Sequence, residues 1–286
     1  MHFRQQSAME YLMTYGWAIL IVAIVIVALF QLGIFNNSNI APHAVAGSCQ
    51  VVHNAAASSL AGQCNNELPQ FVAQFNGASS YIKIPGTAAL SPSLFTISAW
   101  IKVGTSNTWG TIMGYGGKCG WAPYALSLSS SGLAFQFNVA NDITGCGYSS
   151  LNAPSSFTDG KWYSVIGAYT GSQLLLYVDG AQVSSSSYSN PGYNPIDNLY
   201  VGGNLNGYLY INGQMANLQV YNSTLDSSQV TSLYLEGIGG APIDPTHIVG
   251  WWPLNGNAQD YSGNGNGGKP TNVAYNGTWA TSYTQP

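Results

Sequence analysis

Ten short runs in which apolar residues alternate with polar ones recur between Phe71 and Tyr221, among them "FVAQF", "FTISAWIKV", "LAFQFNV" and "LLLYVDGAQV". Gly, Asn, Ser or Pro bound each of them. A period of two puts one set of side chains on one face of a strand, so repeated runs of this kind demand sheets with a buried face. Their spacing predicts an all-β fold, an antiparallel sandwich. Asp179-Gly180, between "LLLYV" and "AQV", is the strongest hairpin signal in the chain. Only "LDSSQVTSLYLEG", Leu225–Gly237, reads as helix, with Asp226 or Ser227 to cap it and Gly237 to end it.

A different material precedes this body. From Tyr11 to Phe35 there are 25 residues without a formal charge. As a helix they would rise about 37 Å, against roughly 30 Å of bilayer hydrocarbon. The run is longer than a secretory signal core and lacks a small-residue cleavage exit, so residues 1–36 are expected to hold a single transmembrane helix. Arg4 is the only basic residue before Lys83, which orients the short N-terminus inward and the C-terminal domain outward. Residues 37–68, rich in Asn, Ala and Ser, read as a stalk, and residues 69–286 as the β domain.

Composition separates the function classes. With a net charge of -4 and only six basic residues, the chain has no electrostatic basis for binding nucleic acid. Cys49, Cys64, Cys119 and Cys146 are an even set beside a membrane segment, which predicts disulfides in an oxidising, extracellular setting. Three pairings are open, and the local one, Cys49 with Cys64 and Cys119 with Cys146, is favoured. No C-x-x-C spacing occurs and the four histidines are scattered, which argues against zinc. Sequons at Asn36, Asn222 and Asn276 offer glycan acceptors.

Trp109, Trp121, Tyr124, Tyr148 and Tyr193 fall in or beside loops, where aromatic faces can stack on sugar rings while Asn side chains bond hydroxyls. The competing role for each is packing within the sandwich, and Trp100 and Trp162, inside strands, are assigned to the core. Asp260, Asn264 and Asn266 in "DYSGNGN" place oxygen ligands on a Gly-rich loop, a chemistry that suits calcium. Turn formation by Asp, Asn and Gly is the alternative. No strand carries the carboxylate pair that glycoside hydrolysis needs, and no nucleophile-elbow, zinc-hydrolase or phosphate-loop motif occurs, so no enzyme is expected.

Two resemblances sharpen these expectations. Gln6-Ser7-Ala8-Met9-Glu10-Tyr11-Leu12 followed by a long apolar helix resembles the class III signal peptide of archaeal type IV pilin-like proteins. The resemblance implies a prepilin peptidase that cuts between Gln5 and Gln6, and a Glu10 that, as fifth mature residue, meets the free amine of a neighbouring subunit in a homo-oligomeric filament. Families of this kind usually have a small residue before the cut, where this chain has Gln5.

The pieces "FNGASSYIKIP", "FTISAWIKV", "TDGKWYSVIGAYTGSQLLLYVDGAQV" and "INGQMANLQVYNSTLDSSQVTSLY" are similar, in order, to the laminin-G-like, concanavalin A-like jelly roll. That implies a surface domain binding carbohydrate or protein ligands, sometimes with calcium. Relatives usually carry an acidic pair where this chain has Ala216-Asn217. "GWWPLNGNAQDYSGNGNGG" resembles the family's opening strand and loop, yet it comes last. Either the sandwich is circularly permuted, with 248–286 supplying the missing strand and Thr271 to Tyr275 a further edge strand, or a second domain begins here. Permutation is expected, because fewer than 50 residues remain after Gly237.

Overall fold

The computed structural model describes residues 15–27, 68–105, 109–116, 123–129, 134–141, 147–189, 197–203 and 209–286. The chain divides into two compact units, Met1–Ala44 and Val45–Pro286. In the first, residues 15–27 form helix α1, and its large apolar side chains, Trp17, Ile19, Leu20 and Ile24 among them, are exposed. Among the described residues no helix is long and apolar enough to cross a membrane. The expected span reaches beyond α1 at both ends, outside the described residues, as do Gln5, Gln6, Glu10, Asn36 and the stalk with Cys49 and Cys64.

The second unit is an antiparallel two-sheet sandwich. Its strands are β1 (Val72–Asn76), β2 (Tyr81–Ile84), β3 (Phe95–Val103), β4 (Thr111–Tyr115), β5 (Tyr124–Leu128), β6 (Phe135–Ala140), β7 (Tyr148–Asn152), β8 (Trp162–Tyr169), β9 (Gln173–Val178), β10 (Ala181–Ser187), β11 (Leu199–Val201), β12 (Asn212–Tyr221), β13 (Ile248–Trp252), β14 (Lys269–Thr271) and β15 (Ala274–Asn276). Sheet A runs β10-β9-β8-β3-β12-β1-β15, with β13 also paired to β12. Sheet B runs β14-β2-β11-β4-β5-β6-β7. Each of the ten alternating runs contributes a strand, and the β9–β10 hairpin turns at Asp179 and Gly180, both with positive φ, as a type I′ connection requires.

Alternation fills the interior. Phe75, Ile82, Phe95, Leu126, Phe137, Met215 and Trp252 meet between the sheets. The outer face of sheet A carries a second layer, in which helix α2 (Ser227–Leu235) sets Val230 and Leu233 against Ile166, Tyr177, Tyr221 and Trp251. Asp226 caps α2 with a full capping box to Gln229, and Gly237, at φ 76°, follows its end. Trp100 and Trp162 are buried as expected but lie in this outer layer, with Trp279, Tyr234 and Tyr283, rather than between the sheets.

The C-terminal residues belong to the sandwich. Adjacent tryptophans of β13 point to opposite faces, Trp252 inward and Trp251 outward, as a period of two dictates. The edge strand expected at Thr271 to Tyr275 is instead two strands in different sheets. Asn272 adopts φ 51° and turns the chain, so β14 pairs with β2 in sheet B and β15 with β1 in sheet A. A propensity reading missed this because Asn adopts the left-handed region more readily than other residues with a side chain.

Candidate functional site

The outer face of sheet B is buried over β4, β5 and most of β6 and opens toward its two ends, at β7 and at β14. One row across it follows the register Lys269, Lys83, Tyr200, Gly114, Ala125, Asn138, Ser150 from β14 to β7. Beside it, Thr111, Ser127, Gln136 and Asn152 form a shorter row on β4 to β7. The centre is floored by small residues. A Cβ on Gly114 would stand 2.6 Å from the Cβ of Ala125, so only glycine lets these strands keep this floor.

A ladder of neutral polar groups crosses β5 to β7. Ser150 Oγ donates to Asn138 Oδ1, Asn138 Nδ2 donates to Ser127 Oγ at 2.9 Å and to Gln136 Oε1 at 3.2 Å, and Gln136 Nε2 donates to Asn152 Oδ1 at 3.0 Å. Its β7 end, Ser150 and Asn152, is exposed, whereas Ser127 and Asn138 are buried. Thr111 Oγ1, buried on the same face, has no hydrogen-bond partner. Such amides and hydroxyls hold both donors and acceptors without charge, which is what a polyhydroxyl ligand requires.

On the β2–β11 side the face turns aromatic. The Tyr200 ring lies where a Cβ of Gly116 would be, 2.3 Å away, so the bare Cα at Gly116 seats the ring against the strand. Tyr81 is 6.1 Å from Tyr200 and 6.5 Å from Tyr210, all three half-buried. Burial raises the pKa of the Tyr200 phenol and keeps it neutral at physiological pH. The sequence gives no sign of this cluster, since Tyr81 and Tyr200 stand in ordinary strand positions and meet only through the β2–β11 pairing.

The expected loop aromatics separate. Trp109 is exposed and precedes Gly110, whose carbonyl accepts from Leu128 N at 2.7 Å. Tyr148 is exposed and pairs with Ala140, near Tyr124 at the other end of β5. Four residues of strand, roughly 13 Å, part the two ends. Tyr124 corrects the expectation: it is fully buried, donates to Leu90 O at 2.8 Å and meets Tyr115 edge-on at 5.1 Å. Its position at a strand start gave it a loop flank, but its register turns it inward, and burial holds its pKa well above the ordinary phenol value. Trp121, Tyr193, Cys119 and Cys146 lie outside the described residues.

The three residues expected to hold calcium form a clasp instead. Asp260 Oδ1 accepts from Trp251 N at 3.0 Å and Ser262 N at 2.8 Å, and Oδ2 accepts from Asn266 N at 2.8 Å. Asn264 Nδ2 donates to Ile248 O at 3.1 Å and Asn266 Nδ2 to Val249 O at 2.7 Å, while Asn266 Oδ1 accepts from Thr87. With one carboxylate, three of whose roughly four acceptor positions are taken by backbone N–H groups, the loop as folded does not fit a calcium ion, which takes six to eight oxygen ligands. Among the described residues no cluster of His, Cys, Asp and Glu could hold a metal ion. Of the sequons, Asn222 is exposed, and Asn276 is half-buried with its Oδ1 accepting from Thr278.

The comparisons with known proteins bear on the fold. No curated protein matches the sequence. Among solved structures, a candidate carbohydrate-binding protein from Bacteroides ovatus is 18% identical with a TM-score of 0.58, covering 73% of this chain and 61% of its own. The chain therefore spans under two thirds of that protein. A native heptameric SAP-like pentraxin from Limulus polyphemus is 13% identical with a TM-score of 0.51, covering 72% of this chain and 94% of its own. Residues 76–231, more than half of the sequence, match the family described as the concanavalin A-like lectin/glucanases superfamily, in its laminin-G form. Together with the two antiparallel sheets, that match places this chain in the concanavalin A-like lectin/glucanase superfamily.

Proposed function

We propose that the sandwich is a non-catalytic glycan-binding domain and that the outer face of sheet B, where it is open at β7 and along β14–β2–β11, is its binding surface. The observation that carries this reading is the Ser127–Gln136–Asn138–Ser150–Asn152 ladder, uncharged and bonded internally, beside a glycine and alanine floor and a tyrosine cluster. Sugar rings stack on aromatic faces, and their hydroxyls exchange hydrogen bonds with amides. Asp179, Asp226, Asp244 and Asp260 are engaged in a turn, a helix cap, a hydrogen bond with His247 and the loop clasp, and Glu236, whose buried Oε2 has no partner, ends helix α2 over sheet A, away from this face, which favours binding over hydrolysis there.

The reading extends to the N-terminal unit. An apolar helix exposed on all sides needs a hydrophobic surrounding, and a bilayer or the core of a surface filament supplies one. Anchored through residues 1–36, the sandwich would be displayed outside the cell, and cleavage before Gln6 would free the amine that Glu10 pairs with during assembly.

A glycan array probed with the full chain in neutral detergent tests the binding surface. Binding that Gln136→Ala with Asn152→Ala removes, with an unchanged melting transition, supports the reading. A uniformly blank array favours the alternative, a filament or surface coat without ligand. Turnover of any polysaccharide, lost with a single acid substitution, overturns the non-catalytic assignment.

A further inference from the structure

The chain has only six basic residues, and two of them, Lys83 on β2 and Lys269 on β14, are direct cross-strand neighbours on the outer face of sheet B. Directly opposed like charges destabilise a sheet, and among the described residues no carboxylate pairs with either of them. The one close contact between a basic and an acidic side chain among the described residues is His247 with Asp244, and among those residues no hydrogen bond engages either lysine. Lys269 is exposed and Lys83 half-buried. Tyr200 is the next residue in the same row, opposite Lys83, and Tyr81 lies 6.1 Å from it. Asp197 acts on Tyr200 only as a charge at longer range.

From this juxtaposition we infer that the β14–β2–β11 side of the face is a subsite for an acidic sugar, a hexuronate unit of an acidic polysaccharide. The ring stacks on Tyr200 or Tyr81, and its carboxylate sits between Lys83 and Lys269, where opposed strands hold the two Cα atoms about 5 Å apart. One carboxylate then neutralises a pair that is unfavourable while empty, so the ligand and the strand pairing stabilise one another. The neutral ladder on β5 to β7 takes the uncharged hydroxyls of the same chain. This subsite rests on the glycan-binding reading and adds the charge of the ligand to it. The two lysines are 186 positions apart in sequence, and only the return of the C-terminal segment to β2 brings them together.

The test is calorimetric titration of the full chain in neutral detergent with galacturonate, glucuronate and mannuronate oligosaccharides and with their uncharged hexose counterparts. A uronate oligosaccharide is expected to bind about tenfold more tightly than its neutral counterpart. That advantage is expected to fade as salt rises. Lys83→Gln and Lys269→Gln should each remove most of it and, by relieving the opposed charges, let the ligand-free chain melt at the same or a slightly higher temperature, whereas the Lys→Arg variants should retain the preference and the original melting transition. Neutral binding with no uronate preference, or a preference that survives both Lys→Gln changes, overturns the subsite and leaves the glycan reading standing. Binding of neither class overturns both.

Discussion

The indole Nε1 of Trp251 donates to the Oδ1 of Asn217 at 2.9 Å, inside the layer that covers sheet A. Asn217 stands where β12 changes partners on one side, from β1 at residues 212–215 to β13 at residues 218–221. It is buried, its φ is 50°, and the same Oδ1 also accepts from Gln219 Nε2 at 2.9 Å while its Nδ2 donates to Gly240 O at 2.9 Å. One amide thus joins the branch point of the sheet, the tryptophan of β13 and the loop after α2. Its donors and its acceptor oxygen are all used within the fold.

Asn217→Ala is expected to leave an indole donor, an amide donor and a carbonyl unpaired in the interior, and to cost about 3 kcal/mol of stability. Asn217→Gly loses the same bonds but accepts the positive φ, and should recover about 1 kcal/mol of that cost. Chemical denaturation of the three proteins separates the bonding from the backbone contribution.

Trp252 fills the sandwich interior and donates its Nε1 to Asn266 O at 2.8 Å. Trp252→Ala should therefore cost about 4 kcal/mol, and removal of residues 248–286 should abolish the cooperative melting transition. A truncated chain that melts as the full one does would mean that β13, β14 and β15 are accessory.

Asp226 has a pKa below the ordinary carboxylate value, chiefly through its side-chain bond from Ser228 and then the backbone N–H of Gln229. Because the folded state depresses this pKa, the cap contributes fully above the unfolded value near 4 and is lost as pH falls through the folded value. Asparagine caps a helix without ionising. Asp226→Asn should therefore flatten the loss of stability below about pH 4, measured as melting temperature against pH, and leave neutral stability nearly unchanged.

Gly116→Ala would place a methyl group against the Tyr200 ring. The ring must tilt off the strand, and glycan binding should weaken about threefold or more if one stacking contact is lost. Tyr200→Ala should weaken binding to a similar degree, and a binding assay on both variants tests whether the ring is part of the surface.

Period and turn chemistry were sufficient to read the strands, the β9–β10 hairpin and the capped helix, because each is written in neighbouring residues. The face of a residue was legible where alternation was strict, as for Phe135 and Phe137. It was not legible at Tyr124, where a loop boundary and a strand start coincide, nor at Trp100 and Trp162, because alternation marks a buried face without saying which of two layers buries it. The candidate surface was the least legible part. Its ladder joins three strands, and its tyrosines and lysines meet through pairings between distant segments, so no local window of sequence contains them.

Strand β1 also fixes how the domain bears load. It lies inside sheet A, bonded to β12 on one side and to β15 on the other, and the chain leading into it is held by Trp279 Nε1 on Pro69 O at 3.1 Å and by Asn255 Oδ1 on Phe71 N at 2.9 Å. Tension arriving through the chain before Leu68 cannot peel β1 from a free edge one bond at a time. It must shear two antiparallel ladders at once, so a sandwich tethered from its N-terminal side would resist being pulled open under flow.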